Sequence, residues 1–210
     1  MSTPYEAVGR TQQKQRTRAA LVAAARRLIA DGVTPGVEET ADAAAISRST
    51  AYRYFPNQAA LLAAAHPEIE AHSLLPENPP EDPAARLDAV VAAFTRLIVD
   101  TEPQQRATLR LSLELDPAQR PALPLRQGRA IRWIGEALAP LQATLSDDEL
   151  LRLVLAIRSA TGIEALVWLT DIGRLSRDDA VALMRWSAQA MFEAALNSPP
   201  PTRRRPRKRA

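Results

Sequence analysis

Apolar residues recur at helical spacing along nearly every patterned stretch of this chain, and no period-2 run of strand length appears. Over residues 15–31, Leu21, Val22, Ala25, Leu28 and Ile29 share one face, predicting an amphipathic helix that Gly32 stops. Thr34-Pro35-Gly36 is a break, with Pro35 suited to a first-turn position, and a short Ala-rich helix follows over 37–45. Ser47 has the chemistry of an N-cap, opening a third helix that runs through Tyr54. Pro56 punctuates, and Asn57 caps a fourth helix beginning at Gln58–Ala65. Four prolines in 76–83 make a loop or helix break. Further helices are predicted over 83–100, 103–115, 125–144, 147–172 and 177–197. Their breaks fall at Pro103, Pro117 to Pro124, Ser146-Asp147 and Ser176-Arg177, and Ser146 with Glu149 has the capping-box form. The fold class expected is all-α.

The length of 210 residues and a hydrophobic share of 46% allow a sizeable core. Zero cysteines remove thiol nucleophiles, disulfides and thiolate metal sites together. His66 and His72, the two histidines, are six apart and fall on different faces of a helix that Pro67 also disturbs, so they make no natural pair of metal ligands. No Gly-rich phosphate loop is present. Neither catalysis nor a cofactor or metal is therefore expected. No apolar run approaches a membrane span and the first 30 residues lack a signal-peptide plan, so a cytoplasmic location is expected.

Charge changes the picture more than composition does. The net +3 divides into +3 over residues 1–65, −6 over 66–197 and +6 over 198–210, where six basic residues stand against no acid. Two basic ends flank an acidic middle, which suggests a polyanionic partner for the ends and another task between them. Proline and like charge deny the final PPPTRRRPRKRA a core, so 198–210 is expected to be a disordered basic tail.

The run VEETADAAAISRSTAYRYF at 37–55 has the layout of a helix-turn-helix, whose second helix enters a DNA major groove. Ala41 and Ala44 are small enough for two helices to cross closely, while Ile46 and Phe55 plug the junction with the first helix. Hydroxyls at Ser47, Ser49, Thr50, Tyr52 and Tyr54 suit phosphate oxygens. The guanidinium forks of Arg48 and Arg53 suit phosphate or guanine.

The stretch AISRSTAYRYFPNQAALL resembles the signature of TetR-type transcriptional regulators, with Ser47, Thr50, Tyr52, Tyr54, Phe55 and Leu61 at the matching places. Three positions depart from that pattern. Ala45 stands where a turn glycine is usual, so its backbone must avoid positive φ or accept a small cost. Thr40 replaces a large aliphatic, and Gln58 replaces a lysine at the start of the fourth helix, which weakens charged phosphate binding there. Arg10, Lys14, Arg16 and Arg18, together with the tail, offset that loss electrostatically. The resemblance implies a DNA-binding domain over 10–62, with Gln58 joining the DNA-facing residues, and a ligand-binding and dimerisation domain over 63–197.

The closing helices carry apolar residues nearly all round. In 177–197, Val181, Met184, Met191, Phe192 and Ala195 fall in one arc, with Leu183, Trp186, Ala190 and Ala194 outside it. One stripe buries in its own domain and a second needs a partner, so a homodimer is expected, with Leu166, Leu169, Met184, Met191 and Ala195 as the dimerising residues. The resemblance further implies a repressor of a palindromic operator, released when an unidentified small molecule enters a pocket between the middle helices. Phe94, Leu97, Leu111, Trp133, Ile134, Ile163 and Trp168 are its apolar candidates; Arg110, Arg129 and Glu164 are the polar ones. Two other functions stay open: a non-specific nucleic-acid binder driven by the tail, and a helical ligand carrier.

Overall fold

A computed structural model describes residues 4–65, 71–114 and 128–201, and side chains from residue 11 onward. His66, the Pro117 to Pro124 break, the first residues of the helix expected at 125, and most of the basic tail lie outside the described residues. Every regular element among those described is helical. In chain order these are α1 Pro4–Ala30, α2 Val37–Ala43, α3 Arg48–Tyr54, α4 Gln58–Ala65, α5 Pro83–Asp100, α6 Glu102–Glu114, α7 Arg129–Leu138, α8 Asp147–Thr161, α9 Ile163–Val167 and α10 Arg177–Asn197. A 3-10 turn at Ala139–Ala143 follows α7, and a π-helical turn at Trp168–Ile172 follows α9.

The chain forms two compact units that are not continuous in sequence: 4–65 with 101–114, and 71–100 with 128–201. Helix α6, which follows α5 after one residue, packs with α1 and α4. Ala107 and Leu111 of α6 complete a core made by Leu21, Ala25, Ile29, Val37, Ala41, Ala51, Phe55, Leu61 and Leu62.

Helix α1 begins eleven residues before the apolar stripe predicts. Residues 11–16 are exposed and bury nothing, so periodicity cannot see them, yet Gln12, Gln13, Lys14, Gln15 and Arg16 are good helix formers and Pro4 suits the first turn. Arg10, Lys14, Arg16 and Arg18 therefore lie within α1. Its C-terminus closes as a Schellman motif: Val33 N–H donates to Leu28 O at 2.9 Å, Gly32 N–H to Ile29 O at 3.0 Å, and Gly32 has φ 84°. Arg26 Nε donates to Ala65 O at 3.1 Å and so fastens the end of α4 to α1.

In the second unit α5, α7, α8 and α10 pack in a ring, each against its two neighbours. Leu87, Val90, Val91, Phe94, Ile98, Trp133, Ile134, Leu153, Ile157, Met184 and Phe192 fill it. Phe94 and Trp133 meet edge to face at 5.9 Å, a favourable arrangement for aromatic quadrupoles. Trp133 also donates its Nε1–H to His72 O at 3.2 Å. Arg185 of α10 grips Asp88 of α5 through both carboxylate oxygens at 2.8 Å. Arg86 donates to the carbonyls of Ala137 and Glu136, two of the orphan acceptors that end α7.

The single helix expected over 147–172 is broken at Gly162, where the backbone turns extended. A Cβ there would overlap Arg158 and Glu164. Ser146 caps α8 with the full capping box, its Oγ and backbone N–H both bound to Glu149. These bonds hold the Glu149 carboxyl below its ordinary 4.5. Ser176 caps α10, accepting from Asp179 N–H at 3.1 Å.

Candidate nucleic-acid interface

The turn between α2 and α3 is built on an uncommon residue for its job. Ile46 N–H reaches back to Ala41 O at 2.9 Å and Ala45 N–H to Asp42 O at 3.2 Å, the bonds of a Schellman close. That geometry puts a left-handed residue at position 45, and Ala45 takes it with φ 53°. Helix α2 accordingly ends at Ala43, two residues before the Ala-rich run does. Thr40, where a larger apolar residue is usual, is fully buried and satisfies its hydroxyl on Gly36 O at 2.8 Å.

Ser47 caps α3: its Oγ accepts from Thr50 N–H at 3.3 Å and meets Thr50 Oγ1 at 2.8 Å, with Ser49 Oγ 3.4 Å away. Three hydroxyls are thus gathered at one end of the helix, Ser47 and Ser49 exposed and Thr50 half-buried. Tyr52 and Arg53 are exposed on the same short helix, and Arg53 makes no hydrogen bond or ion pair among the described residues. Tyr54 instead packs, half-buried, against the core that Phe55 fills. Arg18 of α1 lies over the Phe55 ring at 5.4 Å.

Arg48 is not a loose surface cation. Its Nη1 donates to Glu38 Oε2 at 2.8 Å and its Nη2 to Asp42 Oδ2 at 3.2 Å, both acids on α2. These contacts, the Asp42 hydrogen bond first, push the guanidinium above its already high ordinary value. Tyr52 Oη donates to the other Glu38 oxygen at 3.4 Å. The two acids were not singled out from the sequence; their i, i+4 spacing on a helix that must cross the next one is the signal that would have found them.

Gln58 is also engaged. Its Nε2 donates to Thr34 O at 3.3 Å and Pro35 O at 3.2 Å, so its amide pins the α1–α2 turn instead of standing free at the surface. Asn57 caps α4 beside it, accepting from Ala60 N–H at 2.8 Å.

In the sequence, residues 21–65 match the family model described as "Bacterial regulatory proteins, tetR family". Residues 21–65 form a TetR-family helix-turn-helix domain. No protein of curated function matches the chain in sequence. Among solved structures the fold is similar to a TetR transcriptional regulator from Rhodococcus sp. RHA1, at 19% identity and a TM-score of 0.63, covering 85% of this chain and 96% of that one. The TetR-type architecture, a helix-turn-helix domain with a larger helical region, therefore spans most of the chain.

The larger region distributes the expected pocket residues widely. Phe94, Trp133, Ile134 and Ile163 are buried in its core, Leu97 is half-buried, and Leu111 belongs to the other unit. Arg110 sits on α6 paired with Glu114, while Glu164 pairs with Arg158 at 3.2 Å. Trp168 is 60% exposed and lines an open groove of about 410 Å³ with Leu169, Leu183, Met184, Ser159 and Ser187.

The residues expected to dimerise face mostly inward. Leu166, Met184 and Ala195 are buried within their own protomer, and Leu169 and Met191 are only half-exposed. The large apolar side chains left exposed in this unit are Leu151 and Leu155 on α8, Trp168 and Ile172 on the π turn, and Leu183, Trp186 and Leu196 on α10. Trp186 is 66% and Ile172 68% exposed, large for residues of this kind. The packing of α10 against both α5 and α8 covers its inner arc. No helix among the described residues is long and apolar enough to cross a membrane.

Proposed function

We propose that the chain is a sequence-specific, DNA-binding transcriptional regulator acting in the cytoplasm as a homodimer, a repressor that a small molecule releases. The observation that carries this reading is α3 itself: a capped helix in a TetR-family domain, with the hydroxyls of Ser47, Ser49 and half-buried Thr50 gathered at one end and Tyr52 and Arg53 exposed along it. Hydroxyls and Arg53 would hold phosphates, and Arg48 would read a base edge. Tyr54 and Gln58 act behind them, by packing and by fixing the α1–α2 turn. On this reading 10–62 carries the DNA-reading helices, with 101–114 completing their core, and the rest of 63–197 serves effector and dimer. Two copies joined through Leu151, Leu155, Trp168, Ile172, Leu183 and Trp186 would address half-sites about 34–36 Å apart, or a multiple of that spacing.

The test is selection from a random duplex pool followed by titration on the enriched sequence. A palindromic consensus, bound by a dimer and lost in Thr50→Ala/Tyr52→Ala, is the expected result. Enrichment of no sequence would overturn the reading.

A further inference from the structure

We propose that Glu38 and Asp42 are specificity-determining residues that act through Arg48, steering its guanidinium to the neutral acceptors of a base edge and away from phosphate. This rests on the regulator reading above. Both acids approach Arg48 from α2, at 2.8 and 3.2 Å, and Arg48 is the first residue of α3. The side chains are 59%, 49% and 63% exposed for Arg48, Glu38 and Asp42, so the cluster faces solvent and is open to a ligand. Exposed pairs of this kind contribute little to stability, which leaves their placement to be explained by something other than holding the fold.

A guanidinium has five N–H donors and the two acids take two, so donors remain for a further acceptor. What that acceptor is depends on charge. A phosphate brought to Arg48 would stand beside two carboxylates and be repelled by both. The O6 and N7 of guanine are acceptors without net charge, and the same acids then only hold the fork in place. From Val37 to Gln58 the chain carries Glu38, Glu39 and Asp42 against Arg48 and Arg53. The reading segment is therefore slightly acidic, unlike a surface built for indiscriminate backbone grip.

The experiment compares wild type with Glu38→Gln/Asp42→Asn on the sequence wild type enriches and on a scrambled duplex, across salt. Neutralising the acids should tighten scrambled-duplex binding several-fold and steepen the log–log salt slope by about 1.8 per bound dimer, one added phosphate contact for each of its two Arg48 side chains. Preference at one base pair per half-site should fall by about tenfold. Glu38→Asp, which keeps the charge, should preserve most of the preference. In an Arg48→Ala background the two neutral substitutions should change neither selectivity nor slope. Unchanged base preference and slope in Glu38→Gln/Asp42→Asn, with wild-type helicity retained, would overturn the proposal while leaving the regulator reading intact. Failure of wild type to enrich any sequence would instead remove the reading beneath it.

Discussion

Arg158 and Glu164 close an ion pair at 3.2 Å across the glycine that separates α8 from α9, and the same guanidinium lies 5.5 Å above the Phe94 ring. The pair occupies the space a side chain at position 162 would need. Gly162→Ala is backbone-compatible, since φ is −87° there, so its cost comes from displacing Arg158. Losing a part-buried ion pair and a cation–π contact should destabilise the protein by about 1–2 kcal/mol. Urea unfolding checks this, and in an Arg158→Ala background the alanine at 162 should become nearly neutral.

Ala45 offers the opposite case. A left-handed alanine is strained, and glycine in the same place is not, although glycine loses more chain entropy on folding. The balance predicts that Ala45→Gly stabilises the N-terminal unit by roughly 0.5–1 kcal/mol. A higher denaturation midpoint by circular dichroism would show it; a lower one would mean the turn changes conformation.

The exposed apolar arc of α8, the π turn and α10 should bind a second copy of the chain. Trp186→Glu places a carboxylate in its middle without touching the protomer's buried core. Loss of a central aromatic anchor costs an interface about 2 kcal/mol or more. Sedimentation should show a dimer become a monomer, with unchanged helicity.

Glu149 gives a pH dependence with a definite sign. Its folded carboxyl titrates below the ordinary 4.5 because Ser146 donates to the charged form. The contribution to stability is therefore fully present above that ordinary value and lost as pH falls through the lowered one. Glu149→Gln should flatten this part of the acid limb in thermal melts taken from about pH 5 downward, so that its melting temperature falls less on acidification than that of wild type.

Much of this architecture was legible because it rests on local chemistry. Ser47, Ser146 and Ser176 mark helix starts through hydroxyls that accept N–H groups within three residues, and each caps its helix. Gly32 closes α1 for an equally local reason. What escaped depends on neighbours distant in sequence. The assignment of α6 to the first unit needs Ala107 and Leu111 to find α1 and α4. The engagement of Arg48 by α2, and of Gln58 by the α1–α2 turn, needs the crossing itself. The inner and outer arcs of α10 are equally apolar on paper, and only the partners α5 and α8 decide between them.

Thr101 alone stands between the last residue of α5 and the first of α6, although the two helices are counted in different bodies. The reading head is consequently a discontinuous object. Cutting the gene after α4 would yield a fragment missing one wall of its interior, with the surfaces that Ala107 and Leu111 cover laid bare to solvent. An excised version that folds must splice residues 101–114 back in.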